Sequence, residues 1–184
     1  MPRVRAVKNL REYFMQSVAA ALERNDVAVD DHTCCYVVDL LTVYARSEAL
    51  FDKGERGPEL RPLALKLADS VDGGRDERNR TLRRVGDQAL FIAGFLGDGL
   101  GRKLVDVDYY IYMGGSAYAE LSCCRDASLR ERALRHVFAE LAGNFLEFVD
   151  VLADLRADAF ADNEDLLRLY EIWVRTGSRR RSHP

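Results

Sequence analysis

Apolar residues recur along most of the chain at the three-and-four spacing that marks one face of an α-helix. The longest such stripe consists of Leu82, Val85, Ala89, Ile92 and Leu96. Three further apolar residues fill most of the remaining circumference of the same helix: Leu90, Phe91 and Phe95. A helix that is apolar nearly all round lies in the middle of a core. The pattern therefore predicts a central, buried helix that ends near Leu96.

The same spacing predicts further helices at about residues 8–24, 30–51, 59–71, 106–124, 128–160 and 163–175. The segment Asp52–Pro62 is predicted to be a loop, because glycine and proline interrupt it. Ser128 and Glu131 have the spacing of a capping box at the start of a helix. Gly177 is predicted to end the last helix.

These elements predict an all-α fold, a single-domain bundle of about seven helices that covers residues 1–177. Two or three of the helices should be central and buried, namely the second helix and the pair on either side of the Gly97–Gly101 loop. The first, sixth and last helices should form an outer layer. Residues 178–184 are predicted to be a basic flexible tail.

Gly97, Gly99 and Gly101 follow the central helix at alternate positions. If Ala89–Leu96 were a buried strand instead, this segment could be a phosphate-binding loop. A Walker loop requires Gly-Lys followed by Ser or Thr, whereas Gly101 is followed by Arg, Lys and Leu. A dinucleotide fingerprint fails as well, because Arg102 occupies the position of its third glycine. A helix end followed by a loop is the better interpretation.

Two adjacent glycines, Gly114 and Gly115, lie inside the helix predicted to start at Asp106 or Asp108. Together they cost about 2 kcal/mol relative to alanine. The usual compensation is the close approach of another backbone or of a ligand, which a Cβ atom would block. We expect a tight helix crossing here, with a ligand contact as the alternative.

Charge and composition exclude several classes of protein. The 27 basic and 30 acidic residues are well mixed and give a net charge of −3, so the basic excess of a nucleic-acid-binding protein is missing. Arginines at 75–84 and 179–181 remain a weaker indication of binding to nucleic acid or anionic lipid. No apolar run reaches the roughly 18 residues that a transmembrane segment needs. The N-terminus has no apolar signal region, so we expect a cytoplasmic protein.

The residues that usually carry metal or catalytic chemistry are few and scattered. The four cysteines form two adjacent pairs, Cys34-Cys35 and Cys123-Cys124, rather than the CxxC spacing of zinc ribbons. His32 is interpreted as a solvated residue in a first helical turn, and His136 as a surface residue. The motifs of zinc proteases and of Ser hydrolases are missing. The sequence therefore predicts no metal and no cofactor, and it favours a protein that is not an enzyme.

Two functional hypotheses remain. The leading one is a non-enzymatic cytoplasmic protein, regulatory or adaptor, that binds another protein and also pairs with itself as a dimer. The alternative is a small-molecule-binding protein, or an enzyme, with a tyrosine- and aspartate-lined pocket near residues 87–118. The candidate binding residues are Asp87, Arg102, Asp106, Asp108, Tyr109, Tyr112 and Tyr118.

Overall fold

The computed structural model describes residues 10–46, 49–54, 57–97, 106–125, 128–162 and 164–179, which form an all-α bundle with one short ribbon of two strands. The helices of the described residues are α1 Leu10–Arg24, α2 Asp31–Tyr44, α3 Leu63–Asp69, α4 Arg75–Phe95, α5 Val107–Cys123, α6 Leu129–Ala133, α7 Arg135–Gly143, α8 Phe145–Asp162 and α9 Glu164–Arg179. Strands β1 Asp52–Gly54 and β2 Gly57–Glu59 pair in antiparallel orientation.

Helix α4 is the centre of the bundle. It packs against α5, α8, α3 and α2, and residues 88–96 are all buried. Ala89–Leu96 is therefore confirmed as helical and buried, and the alternative of a strand is wrong because α4 continues unbroken to Phe95. The helix begins at Arg75, so the arginine-rich segment is its first part.

Glycines allow the neighbours of α4 to approach its backbone. A Cβ atom on Gly86 would lie 2.5 Å from Cε1 of Tyr118, and one on Gly94 would lie 2.5 Å from Cβ of Leu152. On α5, a Cβ atom on Gly114 would overlap the ring of Phe145, with Cε2 at 2.6 Å. These are the tight crossings of α4 with α5 and α8, and of α5 with the start of α8.

The close approach predicted for the glycine pair occurs at Gly114 and does not extend to Gly115. A Cβ atom on Gly115 would lie 3.9 Å from Cβ of Phe145, which is an ordinary van der Waals contact. The two positions are about 100° apart around the helix, so only one of them faces the core.

Several predicted boundaries are wrong. The second helix ends at Tyr44 rather than near Phe51, and Leu50 and Phe51 enter the core from outside the helix. The predicted loop Asp52–Pro62 contains the paired strands β1 and β2. Helix α9 continues past Gly177 to Arg179, and residues 180–184 lie outside the described residues, as do residues 98–105 of the glycine-rich loop.

The single long helix predicted at 128–160 is three helices, which accounts for nine helices among the described residues where about seven were expected. At Leu134 the amide bonds back only three residues, to the carbonyl of Glu131 at 3.2 Å, which tightens the turn. At Asn144 the side-chain Nδ2 donates to the carbonyl of Glu140 at 3.0 Å and competes with the backbone. The predicted capping box of Ser128 and Glu131 is confirmed at the start of α6.

The placement of the sixth predicted helix in an outer layer is also wrong. Its last part, α8, packs directly on α4 through a buried face that includes Phe148, Leu152 and Leu155. Among the described residues, no helix combines the length and the apolar character needed to cross a bilayer.

Candidate functional site

A polar cluster around Asp87 lies where α2, α4 and α5 meet. The hydroxyls of Tyr36 on α2 and Tyr118 on α5 each donate to Oδ1 of Asp87 at 2.7 Å. Nε of Arg83, one turn earlier on α4, donates to the hydroxyl of Tyr36 at 3.0 Å. The guanidinium of Arg83 also lies over the ring of Tyr36, 5.1 Å from its centroid. One carboxylate therefore connects three helices, with an arginine as its counter-charge.

Burial dominates the electrostatics of this cluster. It raises the pKa of Asp87, and the hydroxyls of Tyr36 and Tyr118 oppose the rise by donating to the carboxylate. Burial, together with the charge of Asp87, raises the pKa of Tyr36 and of Tyr118 far above the usual range. The tyrosines are therefore fixed as hydrogen-bond donors. The cluster can hold a charge in the core, and it fixes how the three helices are oriented.

A second polar cluster, which the sequence analysis missed, connects α3 and α4 with the segment around Leu50 and Asp52. Nζ of Lys66 on α3 is 2.8 Å from Oδ2 of Asp52 and donates to Oε1 of Gln88 at 2.8 Å. Nε2 of Gln88 donates to the carbonyl of Leu50 at 3.0 Å. Burial lowers the pKa of Lys66, and Asp52 opposes that shift. The sequence signal for this cluster was the position of Lys66, which lies one turn after Leu63 and is buried with it.

Among the predicted site residues that the structure describes, Asp87 and Tyr118 are joined by a hydrogen bond between their side chains. Asp106 caps α5 by accepting the amide of Tyr109 at 3.2 Å, and the hydroxyl of Tyr109 accepts the amide of Ala64 of α3 at 3.1 Å. Asp108 is exposed in the first turn of α5, and Tyr112 is 72% exposed. Arg102 lies outside the described residues.

The outer side of α5 forms a surface with an unusual composition. We call it the neutral face, and it consists of Tyr112, Gly115, Ser116 and Ala119. Ser116 and Ala119 are exposed and Gly115 is half-buried. No charged residue occurs between Tyr109 and Ala119. At the edge of the face, Glu120 accepts from Nε and Nη2 of Arg78 on α4, at 3.0 and 2.9 Å.

Two histidines that the sequence analysis interpreted separately lie together with an aspartate. Asp30, His32 and His136 each offer one ligand atom, and these atoms lie within 4.8 Å of one another. Within the described ranges, this is the one group of three or more potential ligands close enough to hold a metal ion. The predicted start of the second helix at residue 30 places Asp30 and His32 within one turn of each other. Nothing in the local sequence connects these two residues to His136.

No family model, no curated protein and no solved structure matches the sequence.

A shallow, open depression between α1 and α8 contains none of the predicted site residues. It is lined by Gln16, Ser17, Ala20, Arg24, Leu155 and Asp158.

Proposed function

We propose that the protein acts through protein–protein interaction, and that the neutral face of α5 pairs with the same face of a second copy. The absence of charge on this face carries the proposal. Charged residues make up 31% of the whole chain, yet the eleven residues from Tyr109 to Ala119 contain none. The outward side of a helix at the surface of a monomer ordinarily carries polar and charged side chains.

The small residues of the neutral face support the close approach of a second helix. Gly115 costs the helix about 1 kcal/mol relative to alanine. Packing within the chain does not require this glycine, because a Cβ atom added there would have Cβ of Phe145 as its nearest neighbour, at 3.9 Å. With Ser116 and Ala119 beside it, Gly115 leaves a shallow groove that another backbone can enter.

A two-fold axis between Gly115 and Ser116 makes this surface complementary to itself. In an antiparallel pair, the exposed ring of Tyr112 then lies over Ala119 of the second copy. The exposed carboxylate of Asp108 comes near the end of the second copy's α5, where Arg125 is also exposed. In a symmetric dimer each of these contacts occurs twice.

The small size of the surface indicates a weak, transient pair rather than an obligate dimer. A standard interface buries about 800 Å² on each partner. One helix face offers less than this, even with Leu146, which is 54% exposed and follows the Phe145 that packs against Gly114. We therefore expect a dissociation constant in the micromolar range.

Sedimentation equilibrium over a range of micromolar concentrations tests the proposal. Ala119→Glu introduces a charge beneath the Tyr112 ring of the second copy and should give a monomer, with an unchanged circular dichroism spectrum because Ala119 is exposed. Val71→Glu is the matched control, since Val71 is an apolar residue outside α5 that is 65% exposed. A strict monomer for the unmodified chain, or a dimer that Ala119→Glu leaves intact, would contradict the proposal.

The alternative hypothesis of a small molecule bound near Asp87 stays a prediction. One observation favours it: Asp87 is a partly buried carboxylate with a raised pKa, and such groups are concentrated at functional sites. The hydroxyls of Tyr36 and Tyr118 both donate to Oδ1, so a ligand would have to approach from the side of Oδ2.

A further inference from the structure

We propose that Asp30, His32 and His136 bind a divalent transition-metal ion, with Zn²⁺ as the reference ion. The site lies on α2 and α7 and does not depend on the pairing proposed for α5. Imidazole nitrogens suit zinc, copper, nickel and iron, and one carboxylate added to two imidazoles is a donor set typical of such sites.

Two of the distances between the ligand atoms can be compared with those of a tetrahedral zinc site. Oδ1 of Asp30 is 2.7 Å from Nδ1 of His32 and 3.5 Å from Nε2 of His136. Zinc bonds of about 2.0–2.2 Å at tetrahedral angles place ligand atoms about 3.3–3.5 Å apart. The contact with His136 already fits, and the contact with His32 has to open by about 0.6–0.8 Å. The His32 side chain is 78% exposed and has room to turn by that amount.

The backbone segments that carry the three ligands are already joined to each other by hydrogen bonds. Asp30 is the N-cap residue of α2, and its Oδ1 accepts the amide of His32 at 2.8 Å. The amide of Asp30 itself donates to Oε2 of Glu140 at 3.1 Å. Glu140 lies one turn after His136 on α7, so the helix that carries one ligand also positions the segment that carries the other two.

Two further contacts hold α2 and α7 together beside the site. The hydroxyl of Thr33 donates to Oε2 of Glu140. The rings of Tyr36 and Phe138 pack edge to face, with centroids 5.7 Å apart. Because little has to move on binding, most of the metal–ligand free energy is available for affinity.

The surroundings also determine what kind of site this is. The side chains of Asp30 and His136 are 47% and 50% exposed, so an ion could enter from solvent. Three protein ligands leave a fourth position for water, as in open zinc sites. Mg²⁺ should not compete, because it prefers oxygen ligands and six-fold coordination. An ion held by both helices should also raise the thermal stability of the folded chain.

Isothermal titration of the reduced protein with zinc chloride tests the assignment. We expect one Zn²⁺ per chain, no binding of Mg²⁺, and an affinity at least tenfold lower in His32→Ala and in His136→Ala. Asp30→Asn should also weaken binding, and because asparagine is an equally good N-cap it should leave the melting temperature without zinc unchanged. His183→Ala is the matched control and should bind zinc as the unmodified chain does.

The four cysteines are the competing ligands, and two readouts separate them from this site. In NMR spectra of the histidine rings, zinc should shift the signals of His32 and His136 and leave those of His183 in place. Zinc should raise the melting temperature of the unmodified chain and of His183→Ala, but not of His136→Ala. The proposal is overturned if the chain binds no zinc, or if zinc binds equally well after both His32 and His136 are replaced.

Discussion

The adjacent glycines of α5 allow a direct test of the packing, because Gly114→Ala and Gly115→Ala make the same chemical change one residue apart. Both substitutions add one methyl group and remove the same helix penalty of about 1 kcal/mol. They differ in what the methyl group meets. At 114 it lies 2.6 Å from Cε2 of Phe145 and 2.8 Å from Cβ of Ala89, whereas at 115 it lies 3.9 Å from Cβ of Phe145.

The difference between the two variants isolates the steric cost. Gly115→Ala should stabilise the chain by up to about 1 kcal/mol, since the methyl group gains helix propensity at an ordinary contact distance. In Gly114→Ala the same gain is opposed by overpacking, which costs about 1–3 kcal/mol in a packed core. Phe145 cannot turn aside freely, because it is 4% exposed and its ring lies 6.0 Å from that of Tyr118. Gly114→Ala should therefore be less stable than Gly115→Ala by about 1–3 kcal/mol.

Urea unfolding followed by circular dichroism measures both free energies of unfolding. The protein concentration should lie below that of self-association, because Gly115 belongs to the neutral face and dimer formation would add its own stability. For a chain of this size the expected difference corresponds to roughly 2–12 °C in melting temperature. Equal stability of the two variants would refute the assignment of Gly114 to the tight crossing.

Three further predictions concern hydrogen bonds and pH. Tyr118→Phe should cost about 1.5–3 kcal/mol in urea unfolding, because it removes a hydrogen bond to the carboxylate of Asp87; a loss below about 0.5 kcal/mol, of the order of a neutral surface change, would contradict this. Ser128→Ala should cost about 1 kcal/mol by removing the cap of α6, and Ser128→Asn should retain most of that stability. Burial raises the pKa of Tyr36 above its usual 10.0, so its contribution to stability is complete below that pH and is lost above it as the unfolded chain ionises. The unmodified chain should therefore lose about 1.4 kcal/mol more per pH unit in this range than Tyr36→Phe does, and equal slopes would refute the shift.

The sequence could predict the elements whose signal is local. Helix α4 repeats its apolar residues every three or four positions over several turns, so its position and its burial follow from the period alone. The capping box of Ser128 is equally local, because both partners lie within one turn. Tyr44 shows the limit of this approach: apolar residues continue to Phe51, and periodicity does not show that the chain leaves the helix while it remains in the core.

The partners in the two candidate sites could not be predicted, because they are brought together only by the packing of different helices. Asp87 was among the candidate residues, yet its donor Tyr36 is 51 residues away and was not among them. The same limitation applies to His136, which looks like an isolated surface residue until α7 is placed beside the start of α2. Tyr109 and Tyr112 are close in sequence, but the helix directs one toward α3 and the other into solvent.

The pair of glycines links the fold to the proposed interaction. On a helix, neighbouring residues point in different directions, so two adjacent glycines cannot serve one contact. Gly114 is explained by the ring of Phe145 and by Ala89, and that explanation leaves the cost of Gly115 uncompensated within the chain. Either the helix carries a penalty of about 1 kcal/mol at Gly115 that no contact offsets, or the backbone of a second copy supplies a contact that offsets it. The second explanation also accounts for the lack of charge around Tyr112, which the first does not, and for this reason we favour a paired α5.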